Sequence, residues 1–198
     1  MKTFILALLL ILFGCSAPVD APVTVRLNVK DGICSGTIVA PSVILSAQHC
    51  FQKEEKGWGL PASTTMLVDG YQVKILAIVF DGNDHAMVKV DFVFRDYAHL
   101  GKPAPMGTHI HYWGNPAGLV RVYREGYVAS YYHSEMMMDI NGFFGDSGTG
   151  IFDEHENLVG VISSISTIRN SGLVFELMGA NPLEFTPMQY EMMGVSAP

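Results

Sequence analysis

The chain is poor in charge and in cysteine. Only 16% of its 198 residues are Asp, Glu, Lys or Arg, and 12 basic side chains stand against 19 acidic ones, for a formal net charge of -7. No Lys/Arg block occurs, so the electrostatic footprint of a phosphate-binding surface is missing and nucleic acid is not an expected partner. Three cysteines without a CxxC or any paired Cys/His spacing exclude the usual structural zinc frameworks. Neither a metal nor an organic cofactor is expected. The longest apolar run, Phe4 to Phe13, is too short to span a bilayer. What is present is an apolar fraction of 49%, enough for a sizeable core, with Gly 20 and Pro 10 to supply turns.

The amino terminus reads as an export signal. Lys2 precedes the apolar run and small residues follow it, so residues 1–14 are expected to be a signal peptide and 15–22 a short tether ending at Pro22. Leu12-Phe13-Gly14-Cys15 resembles a bacterial lipobox, with Phe13 where a smaller residue is usual. That resemblance implies an exported lipoprotein facing the periplasm or cell surface, acylated on Cys15 and touching the membrane only through its anchor. Ordinary cleavage nearby, with Cys15 incidental and the protein secreted, is the alternative. With Cys15 set aside, Cys34 and Cys50 remain as an even pair in an oxidising compartment. A disulfide closing residues 34 to 50 would stabilise the fold by about 3 kcal/mol in the chain-entropy view.

From Val23 onward, short stretches of period two alternate with turn signals. Val23, Val25, Leu27 and Val29 alternate, and Thr65 to Val68 and Tyr71 to Phe80 flank Asp69-Gly70, a strong hairpin signal. Further strands at similar spacing, through Leu173 to Leu177, point to an all-β sandwich or barrel. One late helix is readable: Thr186 as cap, Pro187 in the first position, Gln189 completing a capping box and Gly194 as the stop. It is expected to pack through Met188 and Met192.

Three patterns carry chemistry. Val43 to Cys50 runs a strand into a turn presenting His49; Asn83-Asp84-His85-Ala86-Met87-Val88-Lys89-Val90 sets Asp84 before an apolar strand; Gly145-Asp146-Ser147-Gly148 flanks a serine with glycine. In this order, with Cys34 placed to bridge Cys50, they resemble the trypsin/chymotrypsin-like serine peptidases. Trp113-Gly114-Asn115-Pro116-Ala117-Gly118-Leu119 is especially similar to the bacterial Deg-type branch, and a lone peptidase domain without an appended peptide-binding domain is expected.

The resemblance implies two packed six-stranded antiparallel β-barrels with a short C-terminal helix, about 23–95 and 105–198 within a peptidase domain of 23–198. It implies a serine endopeptidase acting on polypeptides through an acyl-enzyme: Ser147 as nucleophile, His49 as base and then acid, Asp84 as orienter, and the Gly145 and Ser147 N–H groups as oxyanion donors. Asp81 is the rival to Asp84, but the apolar run follows Asp84. By the same resemblance Asn141 lies at the floor of the specificity pocket, while Ser163 and Ile165 lie along the substrate-binding strand, favouring an uncharged, small or medium apolar residue before the scissile bond. Two departures stand out. Thr149-Gly150 replace the commoner Gly-Pro, and no Ile-Val-Gly-Gly segment precedes the domain, so Asp146 is not expected to be held by a freshly cut amino terminus. The rival reading is a catalytically silent, peptidase-like lipoprotein that binds extended peptides in its groove. His109 and His111 share a strand face but have no third ligand nearby, and read as ordinary surface histidines.

Overall fold

The computed structural model describes residues 23–29, 32–51, 65–170 and 173–198; the signal, lipidation and tether expectations fall on residues outside these. Six strands come first: β1 (Thr24–Val29), β2 (Gly32–Ala40), β3 (Val43–Ala47), β4 (Thr65–Val68), β5 (Tyr71–Phe80) and β6 (His85–Val90). They pair antiparallel in the order β1-β2-β3-β6-β5-β4, and Leu27 opposite Val68 closes the barrel. The β4–β5 hairpin turns at Asp69 and Gly70, both with positive φ, as a tight hairpin needs to match strand twist.

The second body contains β7 (His109–Gly114), β8 (Val122–Tyr132), β9 (Glu135–Asp139), β10 (Gly150–Asp153), β11 (Leu158–Val161), β12 (Ser164–Asn170) and β13 (Leu173–Ala180). Its order is β11-β10-β7-β8-β9-β13-β12, seven strands where six were expected. The two outermost strands are consecutive in the chain, separated only by Ile162 and Ser163. Ile162 N–H donates to Thr149 O at 2.8 Å on one side, and Ser163 N–H to Gly179 O at 3.0 Å on the other. A single interrupted strand therefore pairs with both ends of the sheet and curls it onto itself. Counted as one, it restores six.

Side-chain alternation sorts the apolar residues into separate cores. Ile44, Ala86 and Val88 point into the first barrel, whereas Val43, Leu45 and Met87 point outward. Those outward residues meet Phe152, Leu158 and Val161 of the second body, so β3 is buried on both faces. That is why Val43-Ile44-Leu45 is uninterruptedly apolar instead of alternating. A third cluster, built on Ile110, Tyr112, Met138, Ile151 and Met178, fills the second body.

The helix α1 (Pro187–Met193) has the anticipated capping box and a left-handed Gly194 stop. Its contact face differs from expectation. Met188 and Met192 are exposed, while Tyr190 and Met193 are buried in the seam between the two bodies. The chain leading to it also returns to the first barrel: Asn83 Nδ2 donates to Pro182 O, Asn181 Nδ2 to Asn83 O, and Glu184 N–H to Asp81. This arm braces the turn that carries Asp84.

Candidate active site

His49 sits in a short 3₁₀ turn directly after β3, one residue before a disulfide that joins Cys34 of β2 to Cys50. Asp84 ends the β5–β6 turn. Its Oδ1 accepts the His49 backbone N–H at 3.0 Å and its Oδ2 accepts the ring Nδ1–H at 2.8 Å, while its carbonyl accepts Gln48 N–H at 2.9 Å. With Nδ1 engaged as donor, Nε2 is the imidazole nitrogen left to accept a proton. Asp84 has φ 69, a left-handed conformation that costs about 1 kcal/mol outside glycine. Asp81 holds that turn, as its carboxylate accepts from the backbone N–H of Asn83 and of His85 and from the His85 ring. Asp84 rather than Asp81 faces His49.

Ser147 lies across the seam in a loop tethered from both bodies. Ser35 of β2 receives Asn115 Nδ2 on its hydroxyl at 2.9 Å and donates that hydroxyl to Gly145 O at 2.8 Å. The Ser35 backbone N–H donates to Ser147 O at 2.8 Å. Ala117 N–H donates to Phe144 O at 2.7 Å. In a planar trans peptide the N–H opposes the carbonyl, so the Gly145 N–H points away from Ala117. Gly145 has φ 106, and a Cβ there would lie 2.4 Å from Asn115 O, so glycine alone fits this loop. Among the described residues neither the Gly145 nor the Ser147 N–H has a hydrogen-bond acceptor. Such donors can stabilise negative charge developing on a nearby oxygen.

Asp146 explains how the loop is fixed. Its side chain is fully buried, and Oδ2 accepts Arg124 Nη1 at 2.6 Å, Phe143 N–H at 2.9 Å and Tyr112 O–H at 3.3 Å. Oδ1 rests on Gly114, where a Cβ would approach to 2.0 Å. Burial pushes the Asp146 carboxyl up against the pull of the Phe143 N–H and Arg124. Arg124 loses solvation but is pushed up overall by Tyr112 and Asp146, so the short contact is that of an ion pair. Burial also drives the Tyr112 phenol well up, with the Asp146 charge adding to it, which keeps Tyr112 a donor. The cation that pairs with Asp146 is thus a side chain of β8.

His49 and Ser147 line one cleft of about 560 Å³, together with Ser163 and Ile165. Asn141 is not on its wall. The lining passes through Gly142 and Phe143 instead, and Asn141 is turned so that its carbonyl accepts from Tyr112 O–H and Arg124. Hydrogen bonds to that carbonyl fix the loop one residue out of the anticipated register. Sequence reasoning missed Ser35, Tyr112 and Arg124 altogether, and it gave Asn115 and Ala117 no role within their motif. His109 and His111 each face a separate glutamate, Glu125 and Glu156.

Two β-bodies joined at a seam, with His49 and Asp84 on one and Ser147 on the other, define the architecture of a trypsin-like serine peptidase. The family model for the trypsin-like peptidase domain matches residues 34–161, and the chain belongs to that family. Among solved structures it is similar to a Glu endopeptidase in complex with MPD, at 18% identity and TM-score 0.67 over 89% of this chain and 90% of that one. The inactive form of Rv3671c from M. tuberculosis H37Rv matches at 13% identity and TM-score 0.66, covering 90% and 89%. A serine endoprotease from Yersinia pestis matches at 19% and 0.62, covering 82% of this chain and 59% of that one. No curated protein matches.

Proposed function

We propose that the protein is a serine endopeptidase that hydrolyses polypeptides through an acyl-enzyme. His49 Nε2 takes the Ser147 hydroxyl proton as the serine oxygen attacks the scissile carbonyl, then returns that proton to the departing amine. Asp84 holds the imidazole in the required tautomer and stabilises the imidazolium. The Gly145 and Ser147 N–H groups receive the oxyanion. Water then attacks the ester with His49 again as base, releasing the acid and regenerating Ser147. The observation that carries this reading is the Asp84-held His49 facing the same cleft as Ser147, whose loop the Arg124–Asp146 pair fixes without a cut amino terminus.

The cleft favours an uncharged, small residue before the scissile bond, since Met178 fills the space beside Gly142. Export, and anchoring through acylated Cys15, belong to the same proposal; mass spectrometry of the mature amino terminus reads them directly. For catalysis the test is labelling by a fluorophosphonate probe. Labelling of the protein that disappears in Ser147→Ala and His49→Ala is expected; a folded protein that does not label would leave a peptide-binding relative in its place.

A further inference from the structure

The far end of the cleft carries a feature that the proposed chemistry does not use. Among the described residues Glu176 is the only acidic one on the cleft wall; it is exposed, and its carboxylate makes no hydrogen bond or ion pair with any described residue. It stands opposite Thr167 in the β12–β13 ladder, and Thr167 also lines the cleft. Three residues along β13 is Gly179, whose carbonyl accepts the Ser163 N–H beside the serine loop. At about 3.4 Å per residue this sets Glu176 about 10 Å along the strand from that point.

Met178 separates the two ends. It lies two residues from Glu176 on the same face of β13, is only 2% exposed, and presses on Gly142, where a Cβ would meet its Sδ and Cε at 2.3 Å. The depth between β13 and the Gly142 loop is therefore filled by a thioether. Along β13, Met178 lies between Glu176 and the end of the strand nearest the serine loop, in the way of a long side chain next to the scissile bond. Access remains along the rim, where among the described residues β12 ends the hydrogen-bonded strand order and leaves an edge to which a further strand can pair. An extended peptide added to that edge passes Ser163, Ile165 and Thr167 in turn.

Resting on the peptidase reading, we propose that Glu176 and Thr167 form a subsite for a lysine or arginine side chain of the substrate, about three or four residues to the amino side of the scissile bond. The carboxylate pairs with the cation and the threonine hydroxyl accepts a second hydrogen bond from it. Because the site is open to solvent, the pair selects among substrates more than it adds affinity.

The test is a positional-scanning peptide library cleaved by the protein, Glu176→Gln and Glu176→Lys. The protein is expected to favour Lys or Arg over norleucine at that position by about three- to tenfold in kcat/KM. Glu176→Gln should erase the preference, and Glu176→Lys should invert it toward Asp or Glu. Preference that survives Glu176→Gln, or a cation selected immediately before the scissile bond, overturns the subsite. Fluorescence anisotropy of the same peptides on Ser147→Ala separates the two readings. Absence of turnover with charge-selective binding that vanishes in Glu176→Gln removes the peptidase and keeps the subsite; turnover or binding without charge selection removes the subsite alone.

Discussion

Two aspartate–histidine pairs stand at one turn of the first barrel and use the same local geometry. In each, one carboxylate oxygen accepts the histidine's backbone N–H at 3.0 Å and the other accepts ring Nδ1–H, at 2.6 Å for Asp81–His85 and 2.8 Å for Asp84–His49. Their surroundings differ. Both side chains of the first pair are fully buried, and the His85 Nε2 is buried with no partner among the described residues. The side chains of the second are 45% and 27% exposed, with His49 on the cleft wall. The same hydrogen-bonding unit is thus a structural pin where its second nitrogen is sealed off, and in the proposed mechanism a base where that nitrogen faces the cleft.

Removing the exposed pair should give the largest effect. Ser147→Ala or His49→Ala is expected to abolish fluorophosphonate labelling, and Asp84→Asn to slow peptide hydrolysis by about 10⁴, the effect that loss of the correct tautomer has in serine–histidine–aspartate triads. Retained hydrolysis in Asp84→Asn would assign the orienting role elsewhere.

The loop that presents Ser147 comes next. Arg124→Leu leaves Asp146 buried and unpaired, so stability should fall by about 3 kcal/mol and labelling should fail with it. Asp146→Asn in the same chain should recover part of the lost stability, read by denaturant unfolding. Full labelling in Arg124→Leu would show that the oxyanion donors need no such anchor.

The exposed histidine has a covalent anchor that the buried one lacks. Reducing or replacing the Cys34–Cys50 bond should lower stability by about 3 kcal/mol, and it should slow labelling in molecules that remain folded, because the bond ends one residue from His49. Equal labelling rates in oxidised and reduced protein would confine the bond to stability.

The buried pair should give the smallest change at neutral pH, with a defined pH signature. Burial alone would raise the Asp81 carboxyl; hydrogen bonds from His85, Glu184 N–H and Asn83 N–H overcome it and hold the group below its ordinary value. A carboxyl lowered in the folded state stabilises fully above its unfolded value near 3.8, and that contribution is lost as pH falls through the lower folded value. Asp81→Asn should therefore lower stability by about 2 kcal/mol at pH 7, and the difference from the parent should shrink in strong acid. A difference that grows toward acid contradicts the pin.

What the sequence made legible was local. Thr186, Gln189 and Gly194 specify the helix within a few residues, and Asp69-Gly70 specifies its hairpin. The order of His49, Asp84 and Ser147 carried the family. Which face of the helix is buried, Tyr190 and Met193 instead of Met188 and Met192, depends on a seam made by distant strands. Asn141 failed for a related reason, since hydrogen bonds from β7 and β8 set the register of its loop. Ser35 meets Gly145 across 110 residues and Arg124 meets Asp146 across 22, with no motif around either to announce them. Asp81 and His85 were both in view, but only burial shows that they pair with each other.

The most direct test runs Asp84→Asn and Asp81→Asn side by side, measuring peptide hydrolysis per folded molecule and thermal unfolding on the same samples. A double dissociation is expected: Asp84→Asn slowed by about 10⁴ with little loss of Tm, and Asp81→Asn with a lowered Tm and near-parent hydrolysis in its folded fraction. Inactivity of folded Asp81→Asn together with an active Asp84→Asn would contradict it.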